Sequence, residues 1–468
     1  MQLKKSRLRR TLGMVTANLF MATHGYAQQV VMQQSSGSFE NFGTDSVAND
    51  AGSAALDSSV LFYQEQGGRV RAIEPVSRLT VTGDDGSAFT AKVIYDSLTG
   101  ASPNGAAPWS GTQTFTTPAA LPGQTMTVTG SSGNRTIVTI PGTGTVVAQY
   151  QTPPNTLPVD TGFVDRRYAF NLGYATRLDT DTDISLGLSG STEHDYRSWS
   201  GNGALARRFN DHNTTLRLGI NFEYDQSMPI FGTPTPLTQM NGLLKGPSDS
   251  KTVTSVIAGV TQVMNRFWLL QVNYDVGWNY GYQTDPYKIV SVVNPSTGAP
   301  AEYLYESRPR SRVRQSVYFA NKIAIGPTAA DISFRYYRDS WGIRSITSDL
   351  SERLPVTSRL YVEPGFHFYQ QTAADFFRYY LPGGQTLPNY ASADGRLARF
   401  KARTVGLTVG YDVAPNAEIY LMAEDYRQTG DSTVPNAPGD LATENFFSGV
   451  HAKSIVAGFT YRFQLSNE

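Results

Sequence analysis

Apolar and polar residues alternate with a period of two through most of this chain, and the alternation predicts strands. In the last run, His451 to Phe463, Ile455, Ala457, Phe459, Tyr461 and Phe463 fall on one face. Ser454, Val456, Gly458, Thr460 and Arg462 fall on the other. In 267–280, Trp268, Leu270, Val272, Tyr274, Val276, Trp278 and Tyr280 oppose Gln271, Asn273, Asp275, Gly277 and Asn279. Runs at 184–188, 214–224 and 404–411 alternate in the same way. A strand with one apolar-aromatic face and one small, polar face fits between lipid and a hydrated lumen. A soluble sandwich also alternates. However, Trp268 and Tyr280 lie near opposite ends of one apolar face, as aromatic girdles do at the two membrane interfaces.

The connections alternate too, short with long. The short ones are turn chemistry: Gly83-Asp-Asp-Gly86, Asp179-Thr-Asp-Thr182, Asn210-Asp-His-Asn213, Met264-Asn-Arg266, Gly326-Pro-Thr328, Pro355-Val-Thr-Ser358 and Ala414-Pro-Asn416. The long ones lie at 97–162, 226–250, 281–308, 372–396 and 429–449, with shorter ones near 195–198 and 341–345; the first is expected to hold a small hairpin at 125–150. The expected fold is therefore all-β: a transmembrane antiparallel β-barrel of about 16 strands with short periplasmic turns and long extracellular loops. The first strand is placed at Ser58–Gln66, joined by Gly67-Gly68 to 69–82. If one short pair lies outside the wall, the count is about 14.

Composition narrows this reading. With 39 basic and 39 acidic side chains in 468 residues, the chain has no basic excess for a nucleic-acid partner. It has no cysteine, so disulfides, thiolate metal sites and thiol nucleophiles are excluded. Lys4, Lys5, Arg7, Arg9 and Arg10 precede a moderately apolar stretch and Gly25-Tyr26-Ala27, the pattern of a secretory signal over 1–27. Residues 28–56, rich in Gln, Ser, Gly and Asp, read as a flexible periplasmic leader, and 57–468 as the barrel. No later apolar run is long enough for a membrane-spanning helix. The expected location is the outer membrane.

Six motifs occur in order: Tyr63-Gln-Glu-Gln-Gly-Gly-Arg-Val-Arg-Ala-Ile-Glu-Pro75, Tyr95-Asp-Ser-Leu-Thr-Gly-Ala-Ser-Pro-Asn-Gly105, Gly281-Tyr-Gln-Thr-Asp-Pro-Tyr-Lys288, Arg335-Tyr-Tyr-Arg-Asp-Ser-Trp-Gly342, Gln371-Thr-Ala-Ala-Asp-Phe-Phe377 and Tyr390-Ala-Ser-Ala-Asp394. With them the chain resembles the proteobacterial outer-membrane barrel family known only as domain of unknown function 3570. The resemblance implies an outer-membrane barrel and no particular substrate. The closing strand also resembles those that such proteins present to the barrel-assembly machinery, with Tyr461 and Phe463 as the signal, although Gln464 to Glu468 follow the terminal aromatic.

The predicted topology gathers candidate residues in two places. Asp96, Asp285, Lys288, Asp339, Arg344, Asp375 and Asp394 are expected at the extracellular rim, with Tyr282 and Tyr287 nearby. Their carboxylates suit a hard cation such as calcium; the plainer alternative is loop pinning, or binding of the cations that bridge lipopolysaccharide. Glu74, Arg167, Arg217, Glu223, Asp275, Arg335, Glu363 and Glu424 point into the lumen, where charges pair across it or set selectivity. No cofactor is implied. The His residues form no Ser-His pair by local spacing, and no G-x-S-x-G, H-E-x-x-H or P-loop occurs, so an enzyme is not expected. Two functions stay open: a channel or export conduit for a small solute or ion, and a non-conducting scaffold or receptor for a partner such as a lipoprotein. Outer-membrane lipid and the assembly machinery are partners in either case.

Overall fold

A computed structural model describes residues 52–116, 125–129, 135–139, 149–229, 232–240, 244–447 and 449–465. The expected signal peptide and residues 28–51 of the expected leader lie outside them. Among the described residues, sixteen strands form one closed antiparallel barrel. They are Ser53–Glu65, Val70–Thr82, Ala88–Pro103, Val159–Arg177, Thr182–Thr192, Tyr196–Phe209, Thr214–Ser227, Asp249–Asn265, Trp268–Gly281, Ser311–Ile325, Thr328–Asp339, Arg344–Pro355, Leu360–Gln371, Phe400–Ala414, Ala417–Gly430 and Val450–Gln464. The ring closes between the last strand and the first, with Ser53 opposite Gln464 and Glu65 opposite Ala452. Closure leaves no strand edge, so every wall backbone group can be paired within the ring.

The alternation read from the sequence is the alternation of the wall. Outward positions carry large apolar side chains that remain exposed, among them Leu218 at 57%, Leu421 at 53% and Tyr280 at 70%. Such residues recur on most wall strands, a continuous apolar surface far larger than a water-soluble protein tolerates. Inward positions are buried and mostly polar, including Asn221, Ser255, Asn273, Asn279, Thr347 and Ser454. An apolar patch of the interior lies where the ring closes: Leu61, Tyr63, Val70, Leu98, Met422, Val450 and Val456 pack together there.

Several expected boundaries move. The first strand begins at Ser53 rather than Ser58, inside the expected leader, because Ser53–Leu56 pair with both Leu79–Thr82 and Tyr461–Gln464. The first long connection is 104–158 rather than 97–162, since Ser97–Pro103 continue the wall. Within it, the expected hairpin is narrower than 125–150: Thr125–Thr129 pair with Arg135–Thr139, and a second ribbon joins Gln113–Thr116 to Gln149–Thr152.

The long connections build a roof over one end of the barrel, opposite the tight turns. Ile289–Val293 pairs with Pro300–Tyr305 and, in parallel, with Leu381–Pro382. Phe115, Ile289 and Tyr305 pack in one small core; Val290, Leu304, Leu381 and Ala391 pack in another. Loop 104–158 meets the roof at Gly105, whose φ is +96° and where a Cβ would lie 2.3 Å from the Ile289 carbonyl oxygen. Only glycine permits that approach.

Candidate functional site: the roof and the lumen below it

Two loops supply the polar centre of the roof. One, 282–310, carries Asp285, Lys288, Glu306 and Arg308; the other, 372–399, carries Asp394 and Arg396. Asp394 caps the short 3-10 turn Gly395–Leu397, accepting from the Arg396 backbone N–H at 3.0 Å. This turn points Arg396 back across the cluster. Its Nε donates to Asp394 Oδ2 at 2.6 Å, and its Nη2 bonds Asp285. Arg308 Nη2 donates to Asp394 Oδ2 at 2.6 Å and to Glu306 Oε2 at 3.0 Å. Ser392 donates to Glu306, and the Asp285 backbone N–H donates to Glu306 Oε1 at 2.6 Å. Lys288 Nζ reaches the wall, donating to Ser102 Oγ at 2.9 Å and the Pro103 carbonyl at 2.5 Å.

None of these six residues is more than 8% exposed. Three cations face three carboxylates, so the cluster is balanced by count, and its geometry compensates the cost of burying charge. Burial alone would raise the Asp394 carboxyl, but Arg396, Arg308 and Lys288 hold it well below the usual carboxylate range. Asp285 is lowered for the same reasons, against burial, by Arg396, Lys288 and Arg308. Glu306 goes the other way: burial outweighs Arg308 and pushes it up. Burial also lowers the Lys288 ammonium despite Asp285 and Asp394. The cluster clamps the two loops to each other and, through Lys288, to the wall.

Of the expected rim residues, the structure brings together Asp285, Lys288 and Asp394. The others sit elsewhere. Asp96 lies within the wall strand Ala88–Pro103 and faces inward, 3.6 Å from Arg167; its strand runs further than the turn signals indicate. Asp339 bonds Arg312 and accepts from the Trp341 and Ile343 backbone N–H groups at 2.9 and 3.0 Å, pinning the turn at 340–343. Asp375 packs on Gly342, where a Cβ would clash with its carboxylate. Arg344 is exposed and shares a face with the outward Ile346, two residues on, so it faces away from the lumen. Tyr282 is buried, and Tyr287 donates to Asp195 at 2.6 Å. The expected carboxylate ring therefore does not converge: Arg396 stands between Asp285 and Asp394, and Asp96, Asp339 and Asp375 are held at separate points of the wall and its turns. Among the described residues no group of three or more His, Asp or Glu is arranged to hold a metal ion. Sequence reading missed Glu306, Arg308 and Arg396. The signal was present as a repeated acid-x-base spacing, Glu306-Ser-Arg308 and Asp394-Gly-Arg396, one in each loop.

Below the roof, the eight expected lumen charges all occupy inward positions. Arg167 lies 3.7 Å from Glu74, and Arg353 donates to Glu363 at 2.9 Å. Arg335 lies over the Tyr318 ring, 5.1 Å from its centroid, and Ser454 donates to Glu424 at 3.4 Å. Arg217, Glu223 and Asp275 lie on neighbouring strands around the interior, between Thr214–Ser227 and Trp268–Gly281. His367 is 2.6 Å from Asp349, and Ser333 donates to the same Asp349 at 2.8 Å. Serine and histidine both bond the carboxylate instead of each other, which is not a nucleophile–base arrangement.

Fold, apolar belt and polar interior define the class: a transmembrane β-barrel of the outer-membrane type, roofed at one end by its own loops. The chain belongs to the family described as Protein of unknown function (DUF3570), whose profile matches residues 18–463. No curated protein matches it in sequence. Among solved structures it is similar to a bacterial polysaccharide outer membrane secretin, at 10% identity over 89% of this chain and 100% of that one, with a TM-score of 0.41. It is also similar to the CymD monoaromatic hydrocarbon channel, at 7% identity over 89% and 90%, with a TM-score of 0.37. The outer membrane protein opdK of Pseudomonas aeruginosa is matched at 9% identity over 88% and 99%, with a TM-score of 0.37.

Proposed function

We propose that the protein is a passive conduit for a small solute or ion in the outer membrane, with the roof facing outward and controlling access to the lumen. The observation that carries this reading is a stripe of inward polar atoms on adjacent strands. Among the described residues, Asn221 Nδ2, Ser255 Oγ, Asp275 Oδ2 and both amide atoms of Asn279 are buried and have no hydrogen-bond partner. Buried polar groups of this kind need water. A hydrated stripe along the wall supports a wet path rather than a packed core, and the charges beside it, Arg217 and Asp275, would set its selectivity.

The second reading is a non-conducting scaffold or receptor, with a lipoprotein or other partner on the roof. It is favoured by the balanced ionic clamp and by the paired lumen charges. Both readings include outer-membrane lipid and the barrel-assembly machinery as partners, and neither involves nucleic acid. Single-channel recording on the refolded full chain separates them. Discrete conductance steps whose ion selectivity shifts in Asp275→Asn or Arg217→Gln support the conduit. A folded barrel that stays silent refutes it and leaves the scaffold.

A further inference from the structure

The outward face of the wall is not uniform at the roof end. On the consecutive strands from Thr328–Asp339 to Val450–Gln464, it carries Arg338, Arg344, Lys401, Arg403, Arg427 and Lys453, all exposed. Across the ring closure Arg71 extends the series. One pleat nearer the turn end the face becomes apolar: Ile346 lies below Arg344, Val405 below Arg403 and Ile455 below Lys453, at 39%, 57% and 49% exposure. The cations thus stand where the lipid-facing belt ends. On the opposite arc, this end of the belt carries Trp199, Tyr224, Trp278 and Tyr280, with fewer exposed outward cations, among them Arg166 and Arg197.

The register makes the basic arc costly for the isolated protein. Arg338 pairs directly with Arg344, and Arg403 directly with Arg427. Like charges directly opposite on one face of a sheet repel. Among the described residues the outward face carries one carboxylate at this level, Asp425, which is occupied by Arg427 at 2.8 Å and His451 at 2.7 Å. Arg403, Lys401 and Arg344 make no side-chain hydrogen bond among the described residues. An anion lying between the paired arginines would relieve the repulsion. At the edge of a lipid-facing belt, the group of that chemistry is a phosphate on a lipid headgroup.

We infer that this arc is a binding surface for the phosphate groups of an anionic lipid in the leaflet on the roof side. The proposal rests on the wall spanning a membrane with its roof outward, and not on whether the lumen conducts. The probe is bis-phosphorylated lipid A, titrated into the refolded full chain in neutral detergent, with inorganic phosphate as competitor. Lys401→Gln/Arg403→Gln/Arg427→Gln should weaken binding about 100-fold, from the usual attraction of each cation to anionic lipid. It should also flatten the salt dependence. Arg166→Gln/Arg197→Gln, exposed outward cations on the other arc, should bind like the wild type. Should the triple variant fail to refold, Arg338→Gln/Arg344→Gln removes the second like-charge pair and should still lose at least about tenfold. Unchanged affinity in the arc variants, or equal loss in the control variant, overturns the proposal. So does competition by inorganic phosphate at concentrations matching lipid A, which would make this a free-phosphate site.

Discussion

Replacing Asp394 with alanine tests whether the ionic cluster holds the roof closed. The change removes the carboxylate that bridges Arg308 Nη2 and Arg396 Nε, each at 2.6 Å, and leaves both guanidiniums 6% exposed. Breaking a buried pair from one side costs about 3–5 kcal/mol. The lower end applies here, because Arg396 keeps Asp285 and Arg308 keeps Glu306. At about 1.4 kcal/mol per decade, roof opening should rise about 100-fold. Hydrogen exchange reads this locally. The Ser307 N–H donates to the Ala391 carbonyl at 2.8 Å, and the Ala391 N–H returns to Ser307 at 3.0 Å, so both amides report contact between the two loops. Both should exchange about 100-fold faster in the variant while wall amides hold their protection. Unchanged roof amides would mean that the apolar packing around Ile289 and Leu381 suffices without the charges. Equal acceleration in the wall would mean that the roof is not an independent unit.

Acid should loosen the same contact. The folded values of Asp285 and Asp394 lie below the ordinary 3.8, so their stabilisation is complete above that pH and is lost as pH falls through the lower folded values. Glu306, raised above 4.5, has the opposite dependence and acts above that pH, so it does not mask the acid limb. Exchange at Ser307, corrected for intrinsic chemistry, should rise steadily below pH 3.8; a flat profile there contradicts the assignment. In the wall, Val272→Arg should cost about 2–4 kcal/mol in refolding titrations, as for a charge facing lipid near the midplane. Asn273→Arg, on the buried inward face, should instead change conductance, and similar behaviour in both would reverse the facing of that strand. Phe463→Ala removes a ring that lies tilted against Tyr461, 5.7 Å between centroids, in the closing strand and should lower the amount of heat-modifiable barrel in outer membranes; unchanged levels would count against an assembly role.

The wall was legible because a period of two records two different solvents. Leu216, Leu218 and Ile220 alternate with Arg217 and Gly219 whatever strand they pair with, so facing follows from local order alone. The strand ends at the loop side were less legible. Ser97 to Pro103 look like the start of a loop, rich in Gly, Ser and Pro, yet they continue the wall because Val159–Arg166 pair with them. The ionic cluster was half visible. Asp285, Lys288 and Asp394 were identifiable as charges in loops, but nothing local shows that Arg308 and Arg396 separate the carboxylates and turn a seeming cation site into a clamp.

Register is the quantity that local pattern leaves open, and the basic arc shows what it decides. Lys401, Arg403 and Arg427 are all readable as outward residues from alternation. Whether Arg403 meets Arg427 depends on the turn between their strands. Asp412 pairs with Glu418, but Ala414 pairs with Ala417, so the register shifts by one residue beside that turn. Without the shift, Arg403 would stand opposite Gln428, a buried inward residue, and the facing of the whole strand would conflict with its apolar pattern. The need to keep Leu421 and Ile419 outward therefore selects the bulge, and the bulge in turn places two arginines side by side at the edge of the lipid belt. A repulsive pair that follows from satisfying the belt could have been avoided by substituting either arginine. That both stand there is the reason to look for the anion that binds between them.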